Sequence, residues 1–407
     1  MNNINVPFCL PLIDKYIAEE INDALFNKGW ITTGPKVSEF ELELKKLTDS
    51  DQVLCVNSWH AGVTLIMKWL GLKAGDEVIV PSYTYSATAM CPINMGLTVK
   101  MIDVDNKMHI SLPALKRAIT DKTKLIIPVD IGGRPCDYDS INEIVKSNEI
   151  KSLYKPNNIN QKKLGRIFIL SDAAHSIGSI YKNKSAATYS DASVFSFHSV
   201  KNITTGEGGA VCLNLPKVFA SNEVVNKLRC MSIYGQSKSA LKKNKKNQWR
   251  YDIIEEGQKC NMTDVAASIG LAQIKRYNNI LLPERKRLFN NYNNAFNRHI
   301  NIEKPIIKDN NSISACHLYQ LKLHGFDEIK RDKIIQQLST YNIGASVHYI
   351  PMPSFTFFKS LGYNIKDYSN TQRIYEMTIT LPLYNGLTEI QQEYVIEKFN
   401  SIYLKQK

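Results

Sequence analysis

The sequence lacks the features that mark membrane, disulfide-linked and metal-binding proteins. No stretch approaches the roughly 18 consecutive apolar residues of a membrane-spanning helix. The opening sequence MNNINVP has neither a basic nor a sustained apolar region, so we see no export signal and expect a cytoplasmic protein. No Cys-x-x-Cys pair and no metal-ligand spacing of histidines occurs, so we predict free thiols and no bound metal. The cysteines are Cys9, Cys55, Cys91, Cys136, Cys212, Cys230, Cys260 and Cys316.

The composition is typical of a soluble globular enzyme, but the chain is strongly basic. It has 407 residues, of which 43% are apolar and 22% charged, and a net charge of +13. Residues 236–250, here called the basic segment, carry six positive charges and no acid. This segment is interpreted as a solvated mobile loop or as a lid that attracts a diphosphate substrate. No aromatic-interleaved or helix-turn-helix pattern accompanies the charge, so we expect no nucleic-acid partner.

Short apolar runs alternate with helical patterns from about residue 40 to residue 215. This alternation predicts an α/β fold with a mainly parallel sheet covered by helices on both faces. Residues 151–165 interrupt the pattern and are predicted to form a surface loop. The predicted strands are 53–56, 77–80, 99–103, 125–129, 166–171, 193–197 and 209–213, and the predicted helices are 61–71, 86–95, 111–119 and 137–145.

A second unit with its own helices and strands begins near residue 282. We therefore predict a large N-terminal domain, residues 1–281, which includes an N-terminal arm, and a smaller C-terminal α/β domain, residues 282–407. In the smaller domain the predicted helices are 284–296, 330–338 and 389–403, and the predicted strands are 318–323 and 345–348.

Two charged residues indicate the chemistry. Asp172 closes the apolar run 166–171, and Lys201 follows in a polar turn about thirty positions later. An enzyme that uses pyridoxal phosphate (PLP) needs such a pair. The lysine amine forms a Schiff base with the cofactor aldehyde, and the carboxylate keeps the pyridine nitrogen protonated so that the ring accepts electrons. In such sheets, ligands gather beyond the carboxyl ends of the strands, where both residues fall.

The residues around this pair resemble a known family. The two main segments are DAAHSIG, residues 172–178, and SFHSVKNITTGEGGAV, residues 196–211. Similar segments are GWITTGP at 29–35, GDEVIVP at 75–81, CNMTD at 260–264 and VHY at 347–349. Together they resemble the DegT-type sugar nucleotide aminotransferases, a branch of the fold-type I PLP enzymes. The resemblance implies that fold, a PLP cofactor, and catalysis by Lys201 and Asp172. Relatives with histidine at the lysine position dehydrate sugars instead, which Lys201 disfavours.

The resemblance also implies the residues that hold the cofactor. Residues 57–62 lead from a strand into a helix, whose N-terminal amides suit a phosphate. Trp59 and His60 are larger than the family's usual residues there. An ordinary packing tyrosine and a structural histidine are the alternatives at positions 85 and 175, and Asn261 or Thr263 could instead cap a helix. The implied cofactor-binding residues are Ser58, Trp59, Tyr85, Asp172, His175, Ser196, Lys201 and Asn261.

The substrates implied by the resemblance are L-glutamate as amino donor and a keto sugar linked to a nucleoside diphosphate. Carbon 4 of a UDP-linked 4-keto-6-deoxy sugar is the favoured position, in surface polysaccharide or glycan precursor synthesis. The alternatives are dTDP- or GDP-linked sugars, carbon 3, or a PLP-binding regulatory protein without turnover. A homodimer is implied, in which Asn261 completes the partner's phosphate site. The implied substrate-binding residues are Trp30, Thr32, Thr33, His348 and Tyr349.

Overall fold

A computed structural model describes residues 4–406 of the chain. The first three residues, part of the stretch inspected for an export signal, and Lys407 lie outside the described residues. The strands are β1 Gln52–Val56, β2 Glu77–Pro81, β3 Thr98–Ile102, β4 Thr123–Ile126, β5 Phe168–Asp172, β6 Ile180–Tyr181, β7 Lys184–Ser185, β8 Ala192–Ser196, β9 Gly209–Leu213, β10 Ile302–Glu303, β11 Ser312–Ile313, β12 Tyr319–Leu323 and β13 Thr378–Leu381.

A seven-stranded sheet forms the centre of the fold, with the strand order β1-β9-β8-β5-β4-β2-β3. The pairs β2–β3, β2–β4, β4–β5 and β5–β8 are parallel, whereas β9 runs antiparallel to both β1 and β8. Strands β2, β4, β5 and β9 are buried along their whole length, as expected for central strands that helices cover on both faces. The prediction of a mainly parallel sheet is confirmed.

Helices cover both faces of this sheet. The α-helices are α1 Lys15–Asn22, α2 Pro35–Thr48, α3 Trp59–Trp69, α4 Ala87–Asn94, α5 Leu112–Ala118, α6 Tyr138–Lys146, α7 Asn148–Leu153, α8 Ile159–Leu164, α9 Ser221–Met231, α10 Ala240–Lys243, α11 Asp264–Arg276, α12 Leu282–Ala295, α13 Glu328–Thr340, α14 Thr356–Ser360, α15 Ser369–Met377 and α16 Glu389–Gln406. Along β1, alternate residues belong to different apolar cores, because side chains alternate between the two faces. Helices α3, α4 and α9 pack on one face and α2, α5, α6 and α11 on the other.

The C-terminal part of the chain has a sheet and a core of its own. Strand β12 lies between β10 and β13, and both pairs are antiparallel. Side chains of α12, α13 and α16 join these strands in one apolar cluster, which Val6 of the N-terminal segment also enters. The division of the chain at residue 282 into two domains stays a prediction.

Two predictions of local structure were wrong. Residues 151–165 contain the end of α7 and all of α8, because polar side chains cap these short helices. Ser147 accepts a hydrogen bond from the amide of Ile150, and Asn158 accepts one from Gln161. Residues 345–348 form no strand, since only Ser346 makes an isolated bridge to Thr380.

Other predicted features can be placed directly. None of the helices between residues 4 and 406 combines the length and apolarity that crossing a bilayer demands. All eight cysteines lie within the described residues and are free thiols. Within the basic segment, α10 forms one short turn of helix, and Gln236 pairs with Ile253 at the segment's base.

Candidate active site

The carboxyl ends of the central strands surround a cavity of about 480 Å³. Ser58 follows β1, Asp172 ends β5 and Lys201 follows β8, so the parallel strands deliver polar groups to one edge of the sheet. The predicted residues that line this cavity are Ser58, Trp59, Tyr85, Asp172, His175, Ser196, Lys201, His348 and Tyr349.

Asp172 is a buried carboxylate whose hydrogen bonds are only partly filled by the protein. The Thr88 hydroxyl donates to one carboxylate oxygen at 2.8 Å, and the backbone amide of Ala174 donates to the other at 3.2 Å. Burial raises the pKa of Asp172 to about 6, although these hydrogen bonds and the charge of Lys201 act in the opposite direction. A cationic N–H group in the cavity would stabilise the ionised carboxylate.

Lys201 lies in the turn between β8 and β9, where its amide donates to the His198 carbonyl at 2.9 Å. Burial lowers the pKa of its amine to about 8, while Asp172 and Cys9 oppose the shift. A substantial fraction of this amine is therefore neutral near physiological pH, as a nucleophilic or basic amine must be.

The N-terminus of α3 forms one wall of the cavity. Ser58 caps this helix by accepting a hydrogen bond from the Ala61 amide at 3.1 Å. A Cβ added at Gly209, on the neighbouring strand, would lie 2.7 Å from the Trp59 backbone nitrogen, so only glycine leaves this end of α3 open. The indole nitrogen of Trp59 is buried without a hydrogen-bond partner. Free backbone amides at such a helix start fit a phosphate dianion.

His175 and Tyr349 also line the cavity, and their side chains are joined by a hydrogen bond. The Gly132 amide donates to His175 Nδ1 at 3.2 Å, and His175 Nε2 lies 2.9 Å from the Tyr349 hydroxyl. Burial holds the pKa of His175 well below its ordinary value, and the positive charge of Lys201 contributes. His175 is therefore neutral.

Aromatic rings complete the mouth of the cavity. Tyr85 is 61% exposed, and its ring centroid lies 5.9 Å from that of Tyr349. His348 is stacked on Phe8 at 5.2 Å, and its Nδ1 lies 3.2 Å from the Thr380 hydroxyl. An exposed ring such as Tyr85 is available to cover a planar ligand.

Four predicted residues lie outside the cavity of the single chain. Asn261 donates to the Thr33 hydroxyl at 2.6 Å, and that hydroxyl donates to the Met262 carbonyl at 2.6 Å. The Trp30 indole nitrogen donates to the Thr33 carbonyl at 3.0 Å, and Thr32 lies in the bend that this hydrogen bond spans. The helix-capping alternative is fulfilled by Thr263, which caps α11, and not by Asn261.

Sequence reasoning missed several contributors. Thr88 and Gly132 bond directly to Asp172 and His175, and His317 packs on His175 with ring centroids 4.4 Å apart. Cys9 and Lys201 line a small adjoining cavity of about 40 Å³. Only the position of Thr88 at the start of a helix after a strand offered a signal, because the other contacts join distant parts of the chain.

These groups fit PLP in type and placement. An open helix N-terminus can hold the phosphate, a buried carboxylate can face the ring nitrogen, and a partly neutral lysine can meet the aldehyde. No group of three or more histidine, cysteine, aspartate or glutamate side chains among residues 4–406 forms a metal site. The α/β fold and this site define the class of fold-type I PLP enzymes.

Comparison with known proteins places the chain within that class. The sequence profile of the DegT/DnrJ/EryC1/StrS aminotransferase family matches residues 11–154 and 158–400. The chain is 34% identical to the spore coat polysaccharide biosynthesis protein SpsC of Bacillus subtilis, over 98% of this chain and 97% of that protein. It is 28% identical to the UDP-4-amino-4-deoxy-L-arabinose–oxoglutarate aminotransferase of Shewanella sediminis, over 99% of both chains.

A solved structure agrees with these matches. The Streptococcus pneumoniae protein Spr1654, named as a sugar aminotransferase and solved in its PMP form, superimposes with a TM-score of 0.94 and 37% identity. The superposition covers 99% of this chain and 100% of that one. The chain described here belongs to the DegT/DnrJ/EryC1/StrS aminotransferase family. It is a PLP-dependent sugar aminotransferase of amino sugar biosynthesis.

Proposed function

We propose that the enzyme transfers the amino group of L-glutamate to carbon 4 of a UDP-linked 4-keto-6-deoxy sugar. The name of the Shewanella relative, which specifies a UDP-linked 4-amino sugar and oxoglutarate, supports this choice of nucleotide, carbon and donor. The name of the Bacillus relative supports a role in surface polysaccharide, and lipopolysaccharide or O-antigen precursors are the products to which we extend it. A cytoplasmic location, where nucleotide sugars are made, belongs to the same proposal.

The observation that carries the proposal is the placement of Asp172 and Lys201 in one cavity. PLP supplies an aldehyde that carries the amino group and a ring that accepts electrons. Lys201 Nζ would move a proton from the α-carbon of the amino donor to the cofactor, and in the second half-reaction would move one from the cofactor to the sugar carbon that receives the nitrogen. The depressed pKa of Lys201 lets the same amine act as base and acid near neutral pH.

The other cavity residues bind and orient. Asp172 holds a proton on the ring nitrogen, because its buried carboxylate gains from a cationic partner. The α3 N-terminus with Ser58 and Trp59, together with Ser196, holds the phosphate. Tyr85 covers the ring, and His175 lies near the ring hydroxyl. His348 and Tyr349 face the space that the substrates enter.

We further propose a homodimer with composite sites. Asn261, Trp30, Thr32 and Thr33 lie together outside the cavity of their own chain, so any part they play in catalysis would be in a partner's site. The chain also exposes large apolar side chains near this cluster in sequence: Ile13 and Phe26 are each 80% exposed and Trp249 is 70% exposed. A two-fold interface would cover such surface.

Mixing two inactive variants tests the composite site. Lys201→Ala and Asn261→Ala chains, combined under conditions that exchange subunits, should recover about a quarter of wild-type activity, because random pairing leaves one site in four intact. Each variant exchanged only with itself is the control. An active monomer in sedimentation, or an Asn261→Ala enzyme with full cofactor affinity, would refute the composite site.

A substrate panel tests the reaction. The enzyme is incubated with glutamate and UDP-, dTDP- or GDP-linked keto sugars, and 2-oxoglutarate is measured. We expect the UDP-linked 4-keto sugar to have the highest kcat/KM and Lys201→Ala to be inactive. Faster turnover of a dTDP- or GDP-linked sugar, or of a 3-keto isomer, would replace the proposed acceptor. Normal turnover by Lys201→Ala would refute the role of Lys201.

A further inference from the structure

The hydrogen bonds around His175 have a direction that the geometry fixes. The Gly132 backbone amide can only donate, so His175 Nδ1, 3.2 Å away, must accept. His175 Nε2 lies 2.9 Å from the Tyr349 hydroxyl. If this hydroxyl donated to Nε2, both ring nitrogens would be acceptors and the imidazole would be an anion. Nε2 therefore carries the proton and donates it to the Tyr349 oxygen.

The surroundings of His175 keep its imidazole neutral. The side chain is buried, and the His317 ring lies 4.4 Å away. The Asn202 amide group donates to the Ala315 carbonyl at 2.8 Å, which turns its oxygen toward His317 Nδ1 at 2.9 Å. His317 therefore also donates from one nitrogen as a neutral ring. Burial and the positive charge of Lys201 hold the pKa of His175 and of His317 well below the ordinary value.

Because His175 donates to the Tyr349 oxygen, the hydroxyl hydrogen of Tyr349 is not used in this contact and can be donated to another group. Its segment is held by the His348 carbonyl, which accepts hydrogen bonds from Tyr83 at 2.8 Å and Gln320 at 2.7 Å. Burial and the nearby Asp172 charge raise the pKa of Tyr349, so its hydroxyl stays protonated. Both Tyr349 and Lys201 line the cavity of the candidate active site.

We propose that Tyr349 donates a hydrogen bond to a negatively charged oxygen bound in the cavity, and that His175 is the positioning residue that fixes this direction. The oxygen is either the phenolic oxygen of PLP or a carboxylate oxygen of the amino donor. Both oxygens are present in the cavity before the sugar binds. This inference therefore rests on the proposed function only for the identity of the amino donor.

Tyr349→Phe removes the donor while it keeps the ring. Loss of one hydrogen bond to a charged oxygen corresponds to roughly ten- to hundred-fold weaker stabilisation. If the acceptor is the phenolic oxygen, the absorbance titration of the resting PLP enzyme shifts upward by about one pH unit, because the anionic oxygen is less stabilised. If the acceptor is the donor carboxylate, that titration is unchanged, and single-turnover conversion of the cofactor by glutamate falls roughly ten- to hundred-fold.

Substitution of His175 tests the positioning role. A glutamine can accept from Gly132 through its oxygen and donate to Tyr349 through its nitrogen, so His175→Gln should stay within about threefold of wild type in both measurements. His175→Leu can do neither and should resemble Tyr349→Phe. If His175 acts through Tyr349, the double variant should be no worse than the worse single variant.

Tyr363 provides a matched control for the loss of a tyrosine hydroxyl. Tyr363→Phe removes another tyrosine hydroxyl, which donates to the Val99 carbonyl at 2.6 Å outside the cavity, and should change neither measurement. If Tyr349→Phe leaves the resting titration and the glutamate half-reaction unchanged, the donor role is refuted. Additive effects of Tyr349→Phe and His175→Leu would refute the positioning role. A wild-type enzyme that reacts with glutamate but with no sugar would refute only the proposed acceptor.

Discussion

Two buried groups of opposite charge face the same cavity, and the pKa of each is displaced toward its neutral form. Burial raises the pKa of Asp172 to about 6 and lowers that of Lys201 to about 8. Groups held in this way by a fold are common at functional sites, since the fold accepts a loss of stability to keep them reactive. Each displacement leads to a measurable prediction.

Asp172→Asn should lower activity and raise the stability of the protein prepared without cofactor. Burial raises the pKa of Asp172 in the folded protein to about 6 from its ordinary value of 3.8, so ionisation opposes folding progressively as pH rises through this interval. Removing the charge should add on the order of 2–3 kcal/mol to the free energy of unfolding at pH 8. The same change should lower kcat by roughly 10²–10³-fold, because the ring nitrogen loses its counter-charge. Denaturant unfolding and steady-state kinetics measure both, and a less stable, fully active variant would contradict the role.

The covalent uptake of PLP should depend on the protonation of Lys201. Because the pKa of Lys201 is lowered to about 8, the neutral amine predominates above that pH and the ammonium below it. The rate at which the visible absorption band forms after PLP is added should therefore rise with pH, with its midpoint near pH 8. A midpoint near the ordinary lysine value would contradict the displaced pKa, and Lys201→Ala should form no band.

Residues near a strand end could be predicted from the sequence, and residues that join distant segments could not. Asp172 and Lys201 follow apolar runs, so their position at the edge of the sheet follows from the alternation alone. His317, from the C-terminal part of the chain, lies beside this cavity, where it contacts His175 and Asn202 and lines the small adjoining cavity. A pattern within a short stretch of sequence cannot predict contacts between residues so far apart in the chain.

At the scale of elements, short capped helices were harder to predict than buried strands. Each strand of the central sheet contains buried apolar residues, whereas α7 and α8 have six residues each and almost no apolar periodicity. Their ends carry Ser147 and Asn158 as caps, and the left-handed Gly165 closes α8. Such caps stabilise a helix too short to show a period.

Asn158→Ala should therefore destabilise the protein without altering its chemistry. The Asn158 side chain caps α8 and also donates to the Leu70 and Gly71 carbonyls at 3.0 and 3.2 Å. Loss of the cap and of these bonds should lower the free energy of unfolding by about 1–3 kcal/mol. Asn157→Ala, in the residue just before the cap, is a neighbouring comparison that keeps the α8 cap. An unchanged free energy of unfolding for Asn158→Ala would contradict the view that this cap stabilises α8, and would favour the surface loop that the composition of the segment predicts.

At the scale of the whole molecule, charge is distributed unevenly. The net charge is +13, and six positive charges without an acid lie in the basic segment. Lys242, Lys245 and Lys246 are exposed there, and Gln236 and Ile253 fasten the base of the segment to the fold. In the proposed dimer this exposed segment would border the partner's cleft. Exposed positive charge also attracts a substrate that carries a diphosphate.

Replacing Lys242, Lys245 and Lys246 by serine should slow the reaction with the sugar nucleotide and spare the reaction with glutamate. Electrostatic attraction acts on the diphosphate before binding, so kcat/KM for the sugar should fall several-fold to about tenfold at low salt, and the deficit should shrink as salt screens the charges. Glutamate carries no diphosphate, and its half-reaction should not slow. The matched control replaces the exposed Lys333, Lys359 and Lys366, which removes the same charge from the C-terminal part of the chain. An equal loss in the control variant would assign the effect to net charge, and no loss in either would leave the basic segment as a solvated loop.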